Sequence, residues 1–177
     1  MANIEQLLQQ RQMPIDEALS VFDSLPEIDV DFMFGSWTGF GIDTGHPMDG
    51  LLEHFGWHGK RFHSAEHVDP LVFLNAKGRP VALDPRRMFA GSGLSDRVVR
   101  TQAMAKAIRL SQPLMATLHS AARLRRTGYR DKVTATMMYD QLPINDVFVK
   151  IDERRVLGVM DQKGAEQPFV FVLEREG

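Results

Sequence analysis

With 177 residues, 21 Lys and Arg against 23 Asp and Glu, and a formal charge of −2, the chain has the length of one domain and no global attraction for nucleic acid or an anionic membrane. The absence of cysteine excludes disulfides, thiolate catalysis and cysteine-based zinc sites. Residues 1–10 lack a basic start followed by an apolar stretch, and no apolar run approaches the ~20 residues of a bilayer span. The expectation is a cytoplasmic, bacterial-type protein with no signal peptide and no membrane insertion.

Ile4, Leu7 and Leu8 share a helical face, and after Pro14 the residues Ile15, Ala18, Leu19 and Phe22 recur at helical spacing. Pro14 suits a helix start, Asp16 and Glu17 suit the positive end of the dipole, and Leu25-Pro26 ends the helix. Residues 1–28 thus form a helical arm, read as an ordinary packing element, with capping of a sheet opening as the alternative. A strand is expected over 31–42, around Gly35-Ser36-Trp37-Thr38-Gly39-Phe40-Gly41. Glycine lets a strand bend or another group come close, so one large aromatic among glycines reads as a plug at one end of a curved sheet. Met48, Leu51, Leu52 and Phe55 form a short amphipathic helix between Pro47 and Gly56, placed to cover an opening.

Strands follow over 57–64 and 70–74, and the turn residues Asn75-Ala76-Lys77-Gly78 lead into a return strand over 79–83. Residues 84–93, with Pro85, Gly91 and Gly93, read as a loop. Ser95-Asp96 caps an expected helix running to about Leu110, with Pro113 marking its end. From Leu114 the texture is a β-meander, with strands near 116–127, 130–139, 144–151, 154–161 and 168–175. Thr134 and Thr136 alternate with Val133, Ala135 and Met137, so the two sheet faces meet different surroundings. Short turns between close strands predict an antiparallel up-and-down barrel, whose closure removes exposed edges. One structural domain is expected: an arm over 1–28, the first part of the barrel over 29–90, a connection over 91–115 and a completing meander over 116–177.

Several residue groups offer chemistry. His63-Ser64-Ala65-Glu66-His67 matches the H-x-x-E-H string of inverted zinc peptidases, which needs two His on one helical face and a third ligand. Its flanks are not amphipathic helix, so the segment reads as a polar turn and no metal is assigned, although in extended backbone His63 and His67 can share a face and take up a metal adventitiously. Gly91-Ser92-Gly93 lacks the strand, helix and Lys context of a phosphate loop. Arg123, Arg125, Arg126 and Arg130 cluster near Tyr129 without an aromatic stacking platform. Alternation puts Arg123 and Arg125 on one side, where they form a solvated stripe or, if that side faces the cavity, a carboxylate-binding one. Tyr139 and Asp140, with Asp146, form the best polar constellation: Asp140 caps a turn, or a Tyr/Asp pair orients a ligand or does acid–base work. Asp161 carries the same ambiguity. Trp57 and Phe62 flank an expected opening.

The block Gly35-Ser36-Trp37-Thr38-Gly39, with residues 50–62, resembles the small bacterial GXWXG-type family. Tyr129-Arg130, residues 132–137, residues 139–144, Asp146, Val156-Leu157-Gly158, Met160-Asp161 and Phe171-Val172-Leu173 resemble the domain of unknown function usually joined to it. More distantly, Gly35-x-Trp37-x-Gly39-x-Gly41 resembles the first strand of calycins of the nitrobindin-like branch. That resemblance implies a mainly β, lipocalin-like antiparallel barrel with N-terminal helices and short inserted helices. It also implies that Trp37, with Gly35 and Gly39, is structural, and that Arg175 packs over its indole as a cation–π contact. Nitrobindin-like proteins hold haem through a late histidine. The last histidine here is His119, so haem is not carried over and no cofactor is expected.

The expected function is binding of a small hydrophobic or amphipathic ligand, lipid-like or carboxylate-bearing, within the barrel. Trp57, Phe62, Met138 and Phe148 are the expected apolar lining, and Arg123, Tyr139 and Asp140 the orienting groups. A cofactor-independent isomerase, cyclase or decarboxylase using Tyr139 and Asp140 in the same cavity is the alternative. A third reading is a protein-interaction adaptor working through the N-terminal helices, with a filled interior and an arm removable without unfolding the barrel. A homodimer is left open.

Overall fold

Nine strands and their side-chain alternation organise the molecule. The computed structural model describes residues 4–89 and 102–177. The strands are β1 (Gly35–Ile42), β2 (Trp57–Phe62), β3 (Val68–Leu74), β4 (Pro80–Ala82), β5 (Ala122–Tyr129), β6 (Lys132–Tyr139), β7 (Ile144–Lys150), β8 (Arg155–Gln162) and β9 (Phe169–Arg175). All pairings are antiparallel, in the order β2-β1-β9-β8-β7-β6-β5-β3-β4, and β2 also pairs with β3, so eight strands form a closed ring of hydrogen bonds. The joints of the ring are unequal. Ladder register runs over eight residue pairs between β5 and β6, but Val68 opposite Ala122 is the sole ladder pair between β3 and β5. There the Ser120 hydroxyl substitutes for the ladder, accepting from the Val68 amide at 3.1 Å and donating to the Ala122 carbonyl at 2.8 Å.

The inner face of the ring is one apolar cluster drawn from every strand of it, with Trp37, Phe62, Phe73, Phe148 and Phe171 among its largest members. Trp57, Phe171, Phe148 and Phe62 follow one another edge to face, with neighbouring ring centroids 5.9–6.1 Å apart. Glycines make room for these rings. A Cβ on Gly39 would lie 2.4 Å from the Trp57 ring, and one on Gly158 would lie 2.4 Å from the Phe171 ring. At the start of β1 the Trp37 indole donates to the Met33 carbonyl at 2.7 Å, and the Arg175 guanidinium lies 4.2 Å from the centre of its ring. Arg175 also donates to the carbonyls of Phe34, at 2.6 Å, and Phe32. A 3₁₀ turn over Val30–Met33 precedes β1, in place of the strand expected from residue 31.

A second apolar cluster lies on the outer face. Helices α1 (Ile4–Gln10) and α2 (Ile15–Ser24) bury Leu7, Ala18, Val21 and Phe22 against Val147, Val149, Leu157, Val159, Val170 and Val172 of β7–β9. These strands are therefore buried on both faces, which explains their nearly continuous apolar sequence. The arm covers a flank of the ring and does not cap its end. At the end opposite Trp37, the short helix α3 (Leu51–Phe55) buries Leu52 and Phe55 in the inner cluster.

Three stretches differ from expectation. The strand expected over 116–127 is β5, which begins only at Ala122 and runs through Thr127-Gly128, because the reversal comes at Arg130 and Asp131, whose φ values of 46° and 62° suit a two-residue hairpin. Pro85–Phe89 is a helix, α4, where a loop was expected: Pro85 occupies the first turn and the Asp84 side chain accepts the Arg86 amide at 2.9 Å. Helix α5 (Gln102–Met115) continues past Pro113. The expected Ser95-Asp96 cap and the Gly91-Ser92-Gly93 segment lie outside the described residues.

Candidate functional site

The site begins with an irregularity in β2. Its register against β3 shifts on both sides of Gly59. Gly59 has φ +154°, and a Cβ there would lie 1.9 Å from the Trp37 carbonyl oxygen, so only glycine permits this approach. The bulge changes the parity of the strand: Trp57 points inward before it, and Lys60 and Phe62 are buried after it. Lys60 is thereby carried into the interior, where it is 4% exposed.

Asp146 of β7, 1% exposed, meets it with Oδ2 2.7 Å from Lys60 Nζ. Lys60 also donates to the Pro70 carbonyl at 3.0 Å. Its ammonium sits among rings, 5.2 Å from the centre of Phe171 and 5.8 Å from those of Trp57 and Tyr139. Asp146 Oδ1 is buried without a hydrogen-bond partner. Burial raises the Asp146 carboxyl above its ordinary value, against the opposing pull of Lys60. Burial, reinforced by the charge of Asp146, pushes the Tyr139 phenol well up. An ion pair of this kind is a costly way to hold a core together, since its desolvation rivals its attraction. Strongly perturbed groups beside a void are the usual mark of a functional site.

The void is a cavity of about 20 Å³, room for one water, bordered by Trp57, Lys60, Tyr139, Asp146, Met160 and Phe171 among others. Outside it, a cleft of about 500 Å³ lies between α4 and the 116–121 segment, with Arg86, His119, Gln141 and Leu142 on its walls. Tyr139 lines both spaces.

The residues expected at the site are brought together in part. Trp57 and Tyr139 border the inner cavity, while Phe62 and Phe148 lie deeper in the same aromatic chain. Met138 and Arg123 pair with each other in register, and Arg123 is exposed, so both face outward while Met137 and Leu124 face in. Adjacent residues of one strand cannot share a face, and Tyr139 takes the inward one. Asp140 is exposed beyond the strand end and donates its backbone N–H to the Ala121 carbonyl at 3.0 Å. The carboxylate that meets Tyr139 is Asp146. Arg125 and Arg126 pair with Glu66 and Asp29. Lys60 is the residue that sequence reasoning missed. The Gly59 beside it is the signal, since a glycine inside a strand marks a bulge and a bulge inverts the alternation.

A GXWXG protein family model matches residues 20–78, and the model of a domain of unknown function, DUF4334, matches residues 120–175. The two matches in tandem identify the chain as a GXWXG-type protein joined to that C-terminal domain. Lys60 belongs to the first matched segment, and Tyr139 and Asp146 to the second, so the site joins the two. A crystal structure of a protein from Thermomonospora curvata is similar over 98% of this chain and 96% of that one, with 27% identity and a TM-score of 0.73. No curated protein matches the sequence. Among the described residues no helix is long and apolar enough to cross a membrane.

Proposed function

We propose that the closed ring acts as a lipocalin-like barrel that binds a small amphipathic molecule from its Tyr139 end. The molecule's polar tip, a hydroxyl or an undissociated acid, donates to Asp146 Oδ1 beside Lys60, and its apolar body extends past Tyr139 into the outer cleft. The observation that carries this reading is the partnerless oxygen of Asp146, buried at the edge of a small void that shares Tyr139 in its lining with a larger cleft. A buried acceptor without a donor costs roughly 1–3 kcal/mol, and a ligand group that satisfies it recovers that energy. The inner space alone holds only a water, so a larger molecule requires side chains bordering it to move.

The test is native mass spectrometry of the gently purified chain, followed by thermal-shift titration with medium-chain alcohols and fatty acids. A stoichiometric extra mass, or a saturable rise in Tm absent from the Lys60→Met/Asp146→Leu double variant, is the expected result. A clean apo mass with no shift from any probe overturns the reading. The second reading, a cofactor-independent enzyme, draws on the same triad: the raised Asp146 and Tyr139 groups are suited to hold and pass a proton at a carbon acid or carbonyl oxygen. Under it, a bound molecule would be altered on standing with the wild-type chain and unaltered with Asp146→Asn.

A further inference from the structure

The hairpin between β2 and β3 carries a donor set that the interior site does not use. The chain reverses over residues 63–67, where the His63 and Ser64 amides both donate to the His67 carbonyl, at 3.0 and 3.2 Å. This tight reversal sets the two imidazoles side by side, with ring centres 4.6 Å apart. Asp69, two residues further on, turns its carboxylate toward both. Its Oδ2 lies 3.0 Å from His63 Nε2 and its Oδ1 4.0 Å from His67 Nε2. The histidines are exposed, whereas Asp69 is buried and anchored in β3, so one ligand is fixed and two are free to adjust.

We propose that His63, His67 and Asp69 form a binding site for a divalent first-row transition cation, with Zn²⁺ as the fitting occupant. One donor atom from each residue lies within 4.8 Å of the others. Donors bound to one Zn²⁺ at ~2.0–2.2 Å lie within ~4.4 Å of each other, so small rotations of the exposed rings complete the set. Two imidazoles and one carboxylate suit borderline cations and discriminate against Ca²⁺ and Mg²⁺, which prefer oxygen. Three protein ligands leave at least one coordination position open. That position faces a cleft of about 470 Å³, walled by the three ligands together with Arg61, Pro80 and Leu118 among others. Arg61, whose guanidinium stands 3.8 Å from Asp69 Oδ2, is placed to meet an anion or polarised oxygen bound at the open position. Glu66 is not a ligand: Arg125 holds its carboxylate at 2.6 Å. The arrangement is thus distinct from the helical H-x-x-E-H zinc motif that the string resembles.

The experiment is calorimetric titration of the full chain with Zn²⁺, repeated with Co²⁺ while recording the visible spectrum. The variants His63→Gln and His67→Gln replace exposed side chains and keep the fold, which circular dichroism checks. His58→Gln is the control. The proposal expects one saturable Zn²⁺ site and a Co²⁺ ligand-field band typical of low coordination number. It also expects each of the two variants to weaken binding by more than the ~10–100-fold that loss of an outer-shell partner costs. The control should bind as wild type. The proposal is overturned if no saturable site appears, if either hairpin variant binds as tightly as wild type, or if His58→Gln weakens binding equally.

Discussion

Gly39, Gly59 and Gly158 each hold space that another group fills. A methyl on Gly39 would lie 2.4 Å from the buried Trp57 ring and 3.0 Å from Leu173 Cδ2. Gly39→Ala is expected to lower stability by ~1–3 kcal/mol, the range of core overpacking, read as a shift in urea midpoint. Gly59→Ala meets backbone and should prevent the bulge altogether. The Lys60–Asp146 pair makes a different prediction. Asp146→Leu alone strands a buried ammonium and should cost ~3–5 kcal/mol, whereas Lys60→Met with Asp146→Leu should be neutral or stabilising by ~1–4 kcal/mol. A double variant less stable than either single one would show the pair to be structural. At this scale Trp37 and its glycines were legible because glycine and tryptophan each have a narrow structural meaning. Lys60 was not: strict alternation from Trp57 assigns it to solvent, and the bulge that reverses this is announced by Gly59 alone.

The helical arm is tied to the β5–β6 hairpin through Arg130, whose guanidinium donates to both oxygens of Asp23, at 2.8 and 2.6 Å. That contact holds the Asp23 carboxyl below its ordinary value of 3.8. A depressed acid stabilises the fold above its unfolded-state value and loses that contribution as pH falls through the folded-state one. The arm should therefore loosen in acid, below about 3.8, read as faster amide exchange in α2. Both partners are more than a third exposed, so screening limits the effect to ~0.2–1 kcal/mol. Asp23→Asn should remove this part of the acid dependence. Asp146 works in the opposite sense: its raised value means that its stabilising contribution is present at low pH and lost as pH rises through the folded-state value. Elements of the meander were legible because period-2 patterning and turn residues agree. Their ends were less so, since Thr127-Gly128 looks like a turn and the chain reverses three residues later.

For the molecule as a whole, α1 and α2 are part of the core. Removing residues 1–28 would bare Val147, Val149, Leu157, Val159, Val170 and Val172 together. It would also remove the carbonyls of Pro26 and Ile28 that accept the amides of Lys150 and Ala135. The truncated chain is expected to aggregate, read by light scattering, rather than persist as an intact ring without its arm. Closure itself was foreseeable from strand number and short turns, because an open meander leaves edges. Which strands meet last was not, since β3 and β5 are far apart in sequence and their joint has almost no pattern to read.

That joint behaves as a clasp on an otherwise riveted hoop. Seven joints are laddered, and the eighth hangs on one residue pair, a few backbone bonds and the Ser120 hydroxyl. Thermal breathing will concentrate there, and the amides of Val68, Ala121 and Leu124 should exchange first among those of the ring. Ser120→Ala should hasten this without moving the exchange of β8. Because Ala122 pairs with Tyr139 across the neighbouring ladder, each opening of the clasp also loosens the support of the strand that carries Tyr139.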